Sequence, residues 1–391
     1  MISRACFAIT CLILFTAVSH AEVRNWTNSA GKTITAEIVE TEGDKVILKM
    51  KGQNFPVPIA SLSKPDQDYI AEWKKQAPTD TAPASQVEPI WDAPWPKTIS
   101  ADVSQEIEII KEDESTNEYI YASEHYEFIC DVKLNTSVVR RFSLLFEATN
   151  QFCRELPLGM VKPFREERHK IHLFETRAAY QSAGGPPSSA GVYISRGGEG
   201  DILVPLTSLG VKKVGSNYSV DYDEENTTLS HEITHQLTDA QYYAAGSRGW
   251  FTEGLAEYVA NSGYRSGKFN VNDLRKLKAH VTAYGEDNQG GRALGEEINS
   301  PDLKDFFTQS YSSFVGNAQL NYGLGALIVY YFFHMEGDKE ATTIKEFLKG
   351  LKAGKKGDEI FEPLLAGRSW DDLEADITKN WRSRGVRINF Q

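Results

Sequence analysis

Hydrophobic and polar positions follow four successive patterns along the chain, and each predicts a different kind of structure. Residues 1–21 are apolar almost without interruption from Ala5 to Val18, behind a positive charge at Arg4 and ahead of Ser19-His20-Ala21. That is the pattern of an export signal, cleaved so that the mature chain starts at Glu22, with an uncleaved N-terminal anchor as the alternative. Cys6 and Cys11 stand too early in the apolar run to mark a lipid-attachment site. From 22 to 76 the pattern alternates in short runs, 33–40, 45–50 and 55–59, parted by turns at 42–44 and 51–53. Period-two alternation broken by such turns predicts antiparallel strands and a small all-β domain. Ser63, Pro65 and Asp66 then supply a cap, a first-turn proline and a capping-box partner for a short closing helix. Residues 77–100 carry Pro78, Pro83, Pro89, Pro94 and Pro96 among Ala, Thr and Ser, the composition of a semi-rigid linker. Trp91 and Trp95 predict that its second half docks on the C-terminal domain.

The fourth pattern, over 101–391, is mixed. Tyr126, Phe128 and Cys130 alternate as a strand, and Phe142, Leu145, Phe146, Phe152 and Cys153 share the apolar side of a helix. A hairpin is expected from 191–195 and 202–206 around a glycine-rich turn at 196–200. Pro205 favours an edge strand there. Helices are expected at 273–284, 317–335, 341–352 and 370–382, between glycine-rich turns. The predicted class is α+β: a mixed sheet, a helical C-terminal lobe and the N-terminal all-β domain.

One helix in this region carries chemistry. Leu229, Ile233 and Leu237 recur every four residues, with Asn226, Thr227 or Thr228 as its cap. His231 and His235 lie about 400° apart around such a helix, so both imidazoles leave one face, roughly 200° from the apolar stripe. In an H-E-x-x-H segment those histidines bind zinc, and the intervening Glu232 is the general base. A catalytic zinc needs a third protein ligand and an open position. Glu253 is the preferred third ligand, because Glu253 and Glu257 share a face of a second helix beyond a reversing loop, 242–249, in which Gly246 and Gly249 permit the bends. Glu257 is then expected behind a histidine, accepting its Nδ1 hydrogen, although the two glutamates could exchange roles.

The order H-E-x-x-H, then Trp250-Phe251-Thr252-Glu253-Gly254-Leu255-Ala256-Glu257-Tyr258, resembles the gluzincin metallopeptidases, and most closely the peptidase-MA-like group of predicted bacterial secreted enzymes. The resemblance covers roughly residues 120 to 385, strongly at the two motifs. It implies a zincin fold, one zinc ion on His231, His235 and Glu253, Glu232 as base, and a peptide or protein substrate. A tyrosine or histidine downstream of the third ligand holds the oxyanion in that family. Tyr322 matches best, and Tyr311 and His334 are weaker candidates. The G-x-M-E-N segment of the aminopeptidase branch is missing, the nearest stretch being Ala190-Gly191-Val192-Tyr193, so endopeptidase action is at least as well supported. A strand of the 191–206 hairpin is a candidate edge for pairing with a substrate backbone. Residues 22–76 are similar to a small SH3-like barrel found in exported bacterial proteins, through Trp26, Gly31, Lys32, Leu62, Ser63, Asp66, Tyr69, Ile70 and Trp73. Its ligand is unknown, and Trp26 and Trp73 are expected in its core.

Composition removes some functions. The formal charge is −12, and loss of Arg4 with the signal makes it about −13, with no basic patch for nucleic acid. Beyond the signal no run is long enough to span a bilayer. Export leaves Cys130 and Cys153, expected either as a disulfide pinning helix to strand or as two buried thiols, the disulfide being favoured. His169 and His172 are expected as solvated residues flanking an edge-like strand. Two functions remain: a periplasmic, cell-surface or extracellular zinc peptidase, or an idle zincin-fold scaffold acting through its N-terminal domain.

Overall fold

A computed structural model describes residues 23–29, 31–42, 45–50, 53–76, 91–161, 168–187, 189–195, 200–220, 227–283, 291–337 and 339–391. The expected signal at 1–21, most of the linker and the cap at Asn226 lie outside the described residues. The chain divides into two units, Met1–Ala82 and Pro83–Gln391. In the first, β1 (Val23–Thr27), β2 (Thr33–Glu42), β3 (Lys45–Met50) and β4 (Gln53–Pro58) form an antiparallel meander in chain order, followed by α1 (Lys64–Gln76). The expected barrel is an open sheet here: no β1–β4 pairing closes it among the described residues. Trp26 is fully buried, as expected, with Nε1 donating to the Ala36 carbonyl at 2.9 Å. Asp66 explains its own motif, because its carboxylate accepts from Thr27 N (2.7 Å), Ser63 Oγ (2.8 Å) and Arg24 Nη2 (2.8 Å), clamping helix to sheet. The Trp73 side chain lies outside the described set.

The second unit opens with β5 (Thr98–Ser100), β6 (Glu108–Asp113), β7 (Glu118–Ala122) and β8 (Tyr126–Cys130), then α2 (Thr136–Glu155), β9 (His169–Phe174), α3 (Arg177–Ser182), β10 (Val192–Ser195) and β11 (Gly200–Pro205). Six of these strands form one mixed sheet in the order β10-β11-β9-β8-β7-β6. The predicted hairpin is present, with β10 antiparallel to β11 and at the sheet's edge. Alternation on β8 meets the helical stripe of α2: Phe128 packs edge-on against Phe142 and Phe146 at 5.2 and 5.3 Å.

Three expectations fail in this region. His169 and His172 do not flank an edge, because β9 lies between β8 and β11. Ile171 and Leu173 are buried while the residues between them are not, so a sheet with only one closely covered face imitates an edge strand in sequence. His172 Nε2 meets Asp201 Oδ2 at 2.8 Å. Pro205 ends the interior strand β11; its missing N–H is tolerated because the β10 ladder stops at Val192↔Leu203. Cys130 and Cys153 are buried free thiols, and the favoured disulfide is not formed. Cys153 sits in the last turns of α2, within 3.9 Å of Thr234 Oγ1 rather than facing the sheet, while Cys130 Sγ lies 3.9 Å from the Phe128 carbonyl. Burial pushes both thiols up, Cys153 to about 12.

Glu147 fastens α2 to the β7–β8 turn. Oε1 accepts from Ser123 Oγ (2.6 Å) and His125 N (2.9 Å), and Oε2 lies 2.6 Å from His125 Nδ1. Burial would raise this carboxyl, but hydrogen bonds from His125 and Ser123 outweigh it and hold the group below its ordinary value. A depressed folded pKa contributes stability above the ordinary carboxylate range and loses it as pH falls through the folded value. Glu147→Gln is therefore expected to cost about 1–3 kcal/mol at pH 7, with the gap to wild type closing as pH falls below the ordinary carboxylate range. Urea midpoints at neutral pH and below that range check this, and a gap independent of pH would contradict it.

After the sheet come the hairpin β12 (Val211–Val214) and β13 (Asn217–Val220), then α4 (Thr227–Leu237), α5 (Trp250–Ala260), β14 (Gly263–Arg265), β15 (Lys268–Asn270) and α6 (Leu274–Thr282). The chain ends through β16 (Glu297–Ser300), α7 (Leu303–Thr308), α8 (Tyr311–Gly316), α9 (Ala318–His334), α10 (Thr342–Lys352), α11 (Glu362–Leu365), α12 (Trp370–Arg382) and β17 (Arg387–Phe390), which pairs parallel to β16. The four predicted C-terminal helices are present as α6, α9, α10 and α12. Trp95 docks 5.0 Å from both Phe333 and His334, as expected, but β5 already pairs with β15, so this unit begins before residue 101. Most residues of α9 from Asn321 onward are buried, which marks it as the central helix of the lobe. It crosses α5 where two glycines meet: a Cβ on Gly254 would lie 2.5 Å from the Gly325 carbonyl oxygen. Among the described residues no helix is long and apolar enough to cross a membrane.

Candidate metal centre

Leu229, Ile233 and Leu237 are buried, anchoring α4 as the periodicity predicts and leaving His231, Glu232 and His235 on another face. The loop after α4 reverses through Gly246 (φ +91°) and Gly249 (φ +102°), conformations that glycine adopts without strain. Thr252 Oγ1 accepts from Gly249 N at 3.1 Å and starts α5, which brings Glu253 beside the histidines.

The three predicted ligands converge. His231 Nε2 and His235 Nε2 are 3.0 Å apart, and Glu253 Oε2 lies 3.2 and 3.1 Å from them. Metal–ligand bonds of about 2.0–2.1 Å at tetrahedral angles separate donor atoms by about 3.3 Å. The observed triangle is within a few tenths of an ångström of that. The histidine side chains are 11% exposed and that of Glu253 4%.

Each ligand's remaining polar atom is held from behind. His231 Nδ1 faces Glu257 Oε1 at 3.1 Å; a carboxylate only accepts, so Nδ1 carries the hydrogen and the Nε2 lone pair faces the centre. Tyr243 donates its hydroxyl proton to the His235 carbonyl (3.2 Å) and so accepts from His235 Nδ1 (3.1 Å), fixing the second tautomer the same way. Tyr311 donates to Glu253 Oε1 at 2.9 Å. With both imidazoles neutral, three acceptor atoms therefore meet with no donor among them. A cation at their common centre relieves the repulsion, and His231, His235 and Glu253 can hold a metal ion.

Charge points the same way. With neutral imidazoles, Glu232, Glu253 and Glu257 bring three carboxylates to the region, and of these only Glu257 is bonded to a guanidinium among the described residues, that of Arg292, leaving a deficit that a divalent cation matches. Burial would raise Glu253 and Glu257, but the histidines, and for Glu257 also Arg292, hold both carboxyls well below the usual range. In the metal-free site burial alone would lower His231; the two carboxylates overcome it and pull the imidazole up to about 10. A metal ion displaces that proton on binding.

Neither a family model nor a curated protein matches this chain. The chemistry of the site is thus read from its own geometry. Glu232 is half-buried, and its Oε2 accepts from the backbone N–H of Tyr193 at 2.9 Å, an amide of β10, which among the described residues pairs only with β11. Tyr322 lies parallel to the His231 ring, 8° between planes and 6.0 Å between centroids. Burial, then the Glu253 charge and Tyr311, push its phenol up, so it remains a hydrogen-bond donor. Tyr311 spends its hydroxyl on Glu253. His334 is elsewhere: its Nε2 accepts from Tyr258 at 2.9 Å, and burial pushes the imidazole down to about 3, a neutral group in the lobe's core.

Two groups escape sequence reasoning. His280 Nε2 lies 2.6 Å from Glu257 Oε2, and Arg292 Nη2 donates to Glu257 Oε1 at 2.6 Å. Neither has a spacing relation to the motifs. The one available signal was that His280 is among only eight histidines and falls on a predicted helix.

Proposed function

We propose that this chain is an exported zinc peptidase of the gluzincin type, with a zincin catalytic unit behind an SH3-like module. The observation that carries the reading is the convergence of two imidazole nitrogens and one carboxylate oxygen, each oriented from behind, with the imidazoles on the helix that also carries Glu232, which is not one of the three. Two neutral imidazoles and one carboxylate suit zinc, and such a three-ligand set leaves a position for water or substrate. Zinc, when bound, supplies Lewis-acid polarisation of a water and of the scissile carbonyl. Glu232 takes the proton of the attacking water and returns it to the amide nitrogen that leaves. Tyr322 donates its hydroxyl hydrogen to the developing oxyanion. The position of β10 at the end of the sheet order among the described residues, beside Glu232, supports docking of a substrate backbone along that strand.

Incubation of the purified protein with an unstructured protein substrate tests the reading. Peptide-bond cleavage is expected, lost on chelation and restored by zinc. Absence of cleavage across varied unstructured substrates in the zinc-loaded protein would refute it.

A further inference from the structure

We propose that Arg292 is a positioning residue for the metal centre, joining the carboxylate behind His231 to the tyrosine stacked against it. The inference rests on the reading of His231, His235 and Glu253 as metal ligands and deepens it.

Four groups form a closed ring of contacts. Arg292 Nη2 donates to Glu257 Oε1 at 2.6 Å, and the same oxygen faces His231 Nδ1 at 3.1 Å. The His231 imidazole lies parallel to Tyr322, and the Tyr322 ring centroid is 4.8 Å from the Arg292 guanidinium carbon. One planar cation thus touches both neighbours of a single ligand. A guanidinium can donate in its plane while stacking through its face, which an ammonium cannot reproduce.

The arginine is itself held. Its N–H donates to the His280 carbonyl and its carbonyl accepts from Gln319 Nε2, each at 2.7 Å. Its stem passes over α9 where Gly323 leaves room, with Arg292 Cβ and Cγ 3.4 Å from where a Cβ on that glycine would sit. His280 occupies the second oxygen of Glu257, so the carboxylate cannot turn away from His231 without breaking one of these bonds. An arginine that merely neutralised a buried glutamate would need neither the stacking on Tyr322 nor the backbone anchors.

The test uses the full-length protein with Co²⁺ as the metal probe, in wild type, Arg292→Lys and Arg292→Met. Both variants are expected to weaken Co²⁺ binding about 10–100-fold in chelator competition and to alter its visible absorption bands, with lysine restoring the thermal midpoint but not the spectrum. In peptide hydrolysis kcat should fall more than KM, and the loss should be less than additive with Tyr322→Phe. Should the methionine variant fail to fold, the lysine variant decides. A folded Arg292→Lys with wild-type Co²⁺ affinity and spectrum overturns the proposal, as does a wild type that binds no Co²⁺. Weakened Co²⁺ binding in a protein that cleaves no substrate would sustain the positioning role while the peptidase reading fell.

Discussion

Glu232→Gln will lower kcat by about 10²–10⁴-fold and leave the metal in place. Glu232 contributes no atom to the triangle of His231 Nε2, His235 Nε2 and Glu253 Oε2, so its carboxylate is not needed for binding. Glutamine has the same shape, and its carbonyl oxygen can still accept the Tyr193 N–H that holds Glu232 now. What it lacks is a carboxylate to take a proton from water, so the substitution removes proton transfer and little else. Metal per chain by elemental analysis, with kcat and KM on an unstructured substrate, separates the possibilities. Loss of metal would mean that Glu232 supports the centre. Undiminished turnover would mean that another group is the base.

Gly254→Ala is expected to cost about 1–3 kcal/mol or more and to weaken metal binding at least tenfold, although it adds one methyl and touches no ligand. The new carbon would fall 2.5 Å from the carbonyl oxygen and 2.6 Å from the carbonyl carbon of Gly325, on the backbone of a buried helix that has nowhere to retreat. Relief requires α5 and α9 to separate. Glu253 rides on α5 next to the substituted residue, and Tyr322, which stacks on His231, rides on α9, so separation shifts both against the histidines of α4. Gly316→Ala is the control, since a Cβ there meets nothing within 4 Å, and it should stay within about 0.5 kcal/mol of wild type. Thermal midpoints and Co²⁺ titrations of the pair check the claim, which fails if the two variants behave alike.

These expectations mix features legible in sequence with features that were not. The shared face of His231 and His235 follows from periodicity alone, because two residues four apart on a helix share a face whatever surrounds them. Glu253 beside the histidines and Glu257 behind one of them is the assignment the sequence favoured, with an exchange of the two left open, and the fold places them that way. Their division of labour depends on how α5 is rotated against α4, and the Gly254–Gly325 contact contributes to setting that rotation. Tyr311 ranked behind Tyr322 as an oxyanion donor; in the fold it holds Glu253 instead, because α8 delivers its hydroxyl to Oε1. The β9 histidines and Pro205 misled because the number of covered faces and the length of a ladder are properties of the sheet. Cys130 and Cys153 misled for a related reason: both were rightly placed on packed elements, but the direction of the Cys153 side chain depends on its place at the end of α2.

Spacing along single elements was enough to give the α+β class, the principal helices and the local face that carries His231, Glu232 and His235. Packing closed the exchange that the sequence left open between Glu253 and Glu257, and it alone decided which hydroxyl, that of Tyr311, meets Glu253 and which cation, Arg292, stands behind His231. Those choices join residues tens of positions apart, and their geometry is set by how helices cross and pack rather than by any period along the chain.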